Sequence, residues 1–124
     1  MILKIYKEHD INILMQRAKK YFATCGLSQI QLVELTTIIS ELGYNIIKYA
    51  GCGSIELGID NKIITIIASD KGNGFVDITN AIKEGYSSSG TLGLGLGTVI
   101  RISDEFYIET SNNASKITVI KGIN

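Results

Sequence analysis

Glu41, Asn45 and Lys48 fall within one stretch of helical apolar spacing, and i, i+4 and i+7 place them along a single face. A carboxylate, a neutral amide oxygen and an ammonium in line suit a magnesium-bound polyphosphate. Hard oxygens hold Mg²⁺, and a lysine meets phosphate charge. The same three residues would equally well decorate a solvated helix face, and spacing alone does not choose. Asp70-Lys71-Gly72-Asn73-Gly74 follows the most apolar run of the chain, Ile63 to Ala68. An aspartate at the end of a buried strand can accept a hydrogen bond from an exocyclic amine, and the two glycines let a flat ring or main chain approach. Ordinary turn chemistry is the plain alternative. Gly90-Thr91-Leu92-Gly93-Leu94-Gly95-Leu96-Gly97 leads into a helix, where main-chain N–H groups can cradle phosphate oxygens. It also suits a flexible loop. Neither common phosphate motif fits: Gly97-Thr98 lacks the P-loop lysine, and Thr98 and Ile100 stand where a dinucleotide fingerprint needs glycine.

In this order, the three stretches resemble the N, G1 and G2 boxes of the GHKL ATP-binding superfamily. The wording is most similar to its anti-sigma-factor-type serine/threonine kinases. It extends through Glu41-Leu42, Tyr49-Ala50-Gly51, Gly85-Tyr86-Ser87-Ser88-Ser89-Gly90 and Asp104-Glu105-Phe106, essentially the full length. The resemblance implies a Bergerat-type sandwich that binds ATP and Mg²⁺ beneath a mobile lid. It implies Glu41 as general base, Asn45 at the metal and Lys48 facing the phosphates. Asp70 would meet the adenine amino group, with Gly72 and Gly74 beside it. Ser88, Ser89, Gly93, Gly95 and Gly97 would form the lid and hold the phosphate chain. The family's adenine-side threonine follows a glycine just before the last strand. Here the local sequence is Ser115-Lys116-Ile117-Thr118, and the role is carried to Thr118. The implied partner is a small STAS-domain antagonist protein phosphorylated on serine or threonine, with a sigma factor or a downstream phosphatase as a further partner. A nucleotide-holding module that sequesters its partner with little transfer is the competing function. Glu41 favours the enzyme, since a pure binder does without a base.

These residues need positioning, and the chain supplies it in 124 residues, enough for one domain spanning 1–124. Lys+Arg and Asp+Glu are both 12, so the basic footprint of a nucleic-acid binder is missing. No strictly apolar run approaches the roughly 18–20 residues of a membrane span. Lys4, Lys7, Glu8 and Asp10 exclude a secretory leader, and two well-separated cysteines, Cys25 and Cys52, fit a cytoplasmic protein. Seven of the 13 glycines lie within residues 72–97, which puts the functional backbone there.

Residues 2–6 are β-rich. Asp10 is placed to cap a helix that runs through Ile11, Leu14, Ala18, Phe22 and Cys25 to Gly26. Ser28 opens a second helix to about Ala50, with Ile30, Val33, Ile38, Leu42 and Ile46 as its interior. Strands are expected at 54–59 and 62–69 around Asp60-Asn61. A short helix is expected at 77–84, another at 94–103, and closing strands at 105–110 and 116–121 around Asn112-Asn113. Hairpins with segregated helices predict an α+β fold, a two-layer α/β sandwich with a mixed, mostly antiparallel sheet and helices on one face. Gly43 interrupts the second helix at a cost of about 1 kcal/mol relative to alanine, which a close approach would explain.

Overall fold

The computed structural model describes residues 1–71, 95–111 and 114–123. The elements run β1 (Ile2–Ile5), α1 (Glu8–Tyr21), α2 (Gln29–Tyr49), β2 (Gly53–Asp60), β3 (Ile63–Asp70), α3 (Leu96–Ile102), β4 (Glu105–Ser111) and β5 (Ala114–Gly122). The strands form one sheet in the order β1-β2-β3-β5-β4. Every pairing is antiparallel, so among the described residues the sheet is uniform where a mixed one was expected. The expected helix at 77–84 and the Asn112-Asn113 turn lie outside the described residues.

Local chemistry explains the boundaries. Ser28 accepts from the Gln31 N–H at 3.1 Å, and the Gln31 side chain accepts from the Ser28 N–H at 2.9 Å, a reciprocal cap that launches α2. Asp10 does not cap α1 from outside. The helix begins earlier, at Glu8, and the Asp10 carboxylate reaches back to the N–H groups of Tyr6 and Lys7 at 2.9 and 3.2 Å. A carboxylate can serve those donors from the first turn as well as from the cap. α1 closes at Tyr21, and Gly26 (φ +79°) sits in the following turn, several residues beyond the helix end. The β2–β3 turn falls one residue later than Asp60-Asn61. Asn61 and Lys62 take positive φ (50° and 63°) inside the pair Asp60–Ile63, as a two-residue hairpin turn requires.

The core lies between the helices and one face of the sheet. Strand alternation lines up Ile55, Ala68 and Ile117 in one row and Leu57, Ile66 and Val119 in the next. Leu35, Ile38, Ile39, Leu42 and Ile46 of α2 cover them. At roughly 100° per residue, Ile30 and Val33 fall on the opposite side of α2 from that stripe. They are accordingly 74% and 63% exposed, not interior. Gly43 faces α1: a Cβ there would come within 2.8 Å of Ile11 Cγ1, so the glycine is what lets the two helices pack so closely.

One end of this layer is tied by polar groups. Lys121 Nζ donates to the Ile102 carbonyl at 2.8 Å and lies 3.3 Å from Glu34 Oε1, joining β5, α3 and α2. Asp104 accepts from the Gly122 N–H at 2.6 Å. Among the described residues no helix is long and apolar enough to cross a membrane.

Candidate functional site

The other end of the same face is built around Asp70, the last residue of β3 and only 4% exposed. On its β5 side it pairs with Ser115, whose side chain is also buried, at 3% exposure. Its β2 side is bordered by Gly53. A Cβ on Gly53 would collide with the Ser69 carbonyl oxygen and lie 3.3 Å from Asp70 Cβ and 3.0 Å from Ile46 Cγ2. Asp70 is thus flanked by two of the smallest residues, with α2 pressing down at Ile46. Hollows of about 350 Å³, bordered by Asp70, Thr110, Ser115 and Lys116, and about 240 Å³, bordered by Gly53, Asp70 and Lys71, open here. The larger is within the range of small-ligand pockets. Ser115 Oγ has no hydrogen-bond partner among the described residues. A buried hydroxyl left so costs about 1–3 kcal/mol, and a native fold tolerates that where a ligand or water completes it.

Thr118, the expected adenine-side threonine, is not at this site. It pairs with Ile67 and Tyr107. Three positions after Ser115 is an odd offset, so its side chain stands on the uncovered face of the sheet. The hydroxyl that the register brings to Asp70 is that of Ser115. Neither Ser115 nor Gly53 was singled out as a site residue. The usable signal was strand parity counted from Asp70, which needs the β3–β5 register. On the uncovered face, the Tyr107 hydroxyl donates to Glu105 at 2.5 Å. That hydrogen bond and the carboxylate's charge hold the phenol above its ordinary ionisation range.

Glu41, Asn45 and Lys48 are separated by their surroundings. Asn45 is 3% exposed, on the shoulder of the buried stripe of α2, so it is not part of a solvated helix face. Glu41, one turn earlier, is half-buried against Gly95, the N-cap of α3. A Cβ on Gly95 would fall on the Glu41 carboxylate. Lys48 is exposed, with its ammonium 5.3 Å from the centroid of the Tyr49 ring. Gly97 is the second residue of α3. Gly72, Gly74, Ser88, Ser89 and Gly93 lie outside the described residues. The structure therefore joins the first motif to the third through Glu41 and Gly95, and to the second through Ile46, Gly53 and Asp70.

The donor set suits the groups that the sequence implies. Mg²⁺ keeps several waters and takes one or two protein oxygens beside substrate phosphates. A buried amide on α2 with a carboxylate one turn away meets that need. No cluster of three or more His, Cys, Asp or Glu side chains occurs among the described residues.

Comparison with known proteins bears on the whole chain. The model of the histidine kinase-like ATPase domain matches residues 7–121. The serine/threonine-protein kinase RsbT of Bacillus subtilis (strain 168) is 36% identical over 96% of this chain and 93% of its own length. In fold, the chain is similar to one in the crystal structure of the SiaB–SiaC complex from Pseudomonas aeruginosa. The TM-score is 0.75 with 10% identity, over 98% of this chain and 89% of that one.

Proposed function

The chain belongs to the histidine kinase-like ATPase domain family, and we propose that it is a partner-switch serine/threonine protein kinase that phosphorylates a STAS-domain antagonist protein. The observation that carries this is the arrangement along α2: Ile46 stands over Gly53 beside Asp70, while Glu41, five residues earlier, stands against Gly95 at the start of α3. One helix would thereby span the adenine end, at Asp70, and the transfer end, at Glu41, of a bound nucleotide.

Asp70 accepts from the exocyclic amine of adenine, where guanine would present a carbonyl oxygen, and Ser115 supplies the neighbouring hydroxyl. Asn45 would hold Mg²⁺, which when bound neutralises and orients the phosphates. Glu41 takes the proton of the incoming serine or threonine hydroxyl. That oxygen bonds to the γ-phosphorus as the bond to the β–γ bridging oxygen breaks, and ADP leaves. Positioning and charge neutralisation supply most of the catalysis in such transfers. Lys48 joins the phosphate chain by leaving the Tyr49 ring. ATP as substrate and two cysteines outside any disulfide fit a cytoplasmic location.

Incubation with γ-labelled ATP, Mg²⁺ and a purified STAS-domain protein tests the proposal. Label is expected on a serine or threonine of that protein. Tight ATP binding with no transfer to any such partner would instead favour a nucleotide-holding module.

A further inference from the structure

We infer that Gly95 is the positioning residue for Glu41: the space where a side chain would stand is the seat of the catalytic carboxylate. A Cβ built on Gly95 would overlap Glu41 Oε2 and Cδ and lie 2.9 Å from Cγ, so the contact involves the whole end of the side chain. Gly95 also takes φ +67°, where β-carbon-bearing residues are disfavoured. Two independent demands therefore meet at this residue, and they can be separated. Gly26 and Gly51 take similar φ values, +79° and +86°, with nothing within 4 Å of an added Cβ. They register backbone strain alone. Gly95 registers strain plus the carboxylate.

The consequence is directional. α2 fixes the Cα of Glu41, with Leu42 beside it wholly buried. A methyl group at position 95 therefore displaces the carboxylate and not the helix. Misplacing a reacting group by about 1 Å can cost about a hundredfold in rate. Adenine recognition belongs to Asp70 and Ser115 at the other station, so nucleotide affinity should fall less than the rate. Gly95 thus acts through Glu41. Its requirement for glycine follows from the size of its neighbour as well as from any need of the glycine-rich segment to bend or to approach phosphate.

The inference rests on Glu41 being the proton acceptor, so the test has one arm that needs no activity. In the first arm, thermal unfolding is followed for Gly95→Ala, Gly26→Ala and Gly51→Ala, each alone and combined with Glu41→Ala. Gly95→Ala should lower the melting temperature more than the two control glycines, by an excess on the order of 5 °C. That excess should vanish in the Glu41→Ala background, while the control losses persist. Gly95→Asn serves as a second variant, because asparagine tolerates positive φ yet carries a Cβ. It should show the same dependence on Glu41. In the second arm, Gly95→Asn should lower kcat for phosphoryl transfer by about a hundredfold, a larger change than that in KM for ATP. It should have no further effect on transfer in a Glu41→Gln background. A melting loss equal to that of the controls, or an excess that survives Glu41→Ala, would overturn the seat. A normal stability pattern with unchanged kcat would keep the contact but remove Glu41 from the chemistry, which is a failure of the functional assignment and not of the packing.

Discussion

The covered face of the sheet ends in two polar clusters built from similar residues and used in opposite ways. At one end, the Lys121 ammonium is shared between the Ile102 carbonyl and Glu34, and Asp104 takes the Gly122 N–H. These groups are completed within the fold. At the other end, Asp70 and Ser115 are buried more deeply than the partly exposed Lys121 and Glu34. Gly53 and Ser115 withhold bulk on either side, and the serine hydroxyl has no partner among the described residues. Burying polar groups carries a desolvation cost that the fold offsets at the first end and, at the Ser115 hydroxyl, leaves open among the described residues at the second. A buried, unpartnered hydroxyl beside a hollow is what the proposed site has and the finished cluster lacks.

If that contrast is correct, changes at the site end should alter function and leave stability nearly alone, and changes at the strut should do the reverse. The largest effect belongs to Glu41→Gln, which keeps size but removes the base. Transfer to a STAS partner should fall by about 10²–10⁴-fold while Mg·ATP affinity by calorimetry stays near normal. Transfer at the wild-type rate would reject Glu41 as the base. Next is Asp70→Asn, where loss of a charged acceptor worth about 1.5–3 kcal/mol should weaken ATP binding roughly 10- to 150-fold and erode preference over GTP. Unchanged selectivity would reject Asp70 as the adenine contact.

Lys121→Met sharpens the contrast from the other side. The Ile102 carbonyl and the Glu34 carboxylate lose their shared donor, and denaturant unfolding should show a loss of about 1–3 kcal/mol with ATP affinity unaltered. A comparable loss of affinity would mean that the two ends are coupled. The smallest effect is also the most discriminating. Ser115→Ala removes a hydroxyl that the described fold leaves unpaired, so the free protein should melt at the same temperature or slightly higher. ATP affinity should fall by the roughly 0.5–1.5 kcal/mol of a neutral hydrogen bond. A clear drop in melting temperature would place Ser115 with the strut residues.

How far the site was legible varied by residue for identifiable reasons. The Glu41, Asn45 and Asp70 roles rest on the family resemblance carried by motif order, which is read along the chain and needs no tertiary arrangement. Ser28 as the α2 cap was equally local, since its partner Gln31 lies only three positions away. Asp10 was read one step too simply, because a carboxylate in the first turn and one at the cap serve the same donors. Ile30 and Val33 were taken as interior on hydropathy, although their angle around α2 separates them from Leu35 and Leu42. Thr118 differs for another reason: its role was carried over from the family pattern, while strand parity brings Ser115 beside Asp70.

The sequence by itself determined which residue types were available and in what order, and that was enough for the two-layer sandwich and the family. Periodicity, caps and motif spacing are properties of neighbours along the chain. Which hydroxyl stands beside Asp70, why Gly53 and Gly95 must lack side chains, and why Gly43 is tolerated within a helix were decided only by the tertiary structure. Each depends on a residue distant in sequence: Ser115 on the register to β3, Gly53 on the approach of Ser69 and Ile46, Gly95 on the Glu41 carboxylate, and Gly43 on Ile11. Steric exclusion between segments is short-ranged in space and unrelated to separation along the chain, so no local pattern carries it.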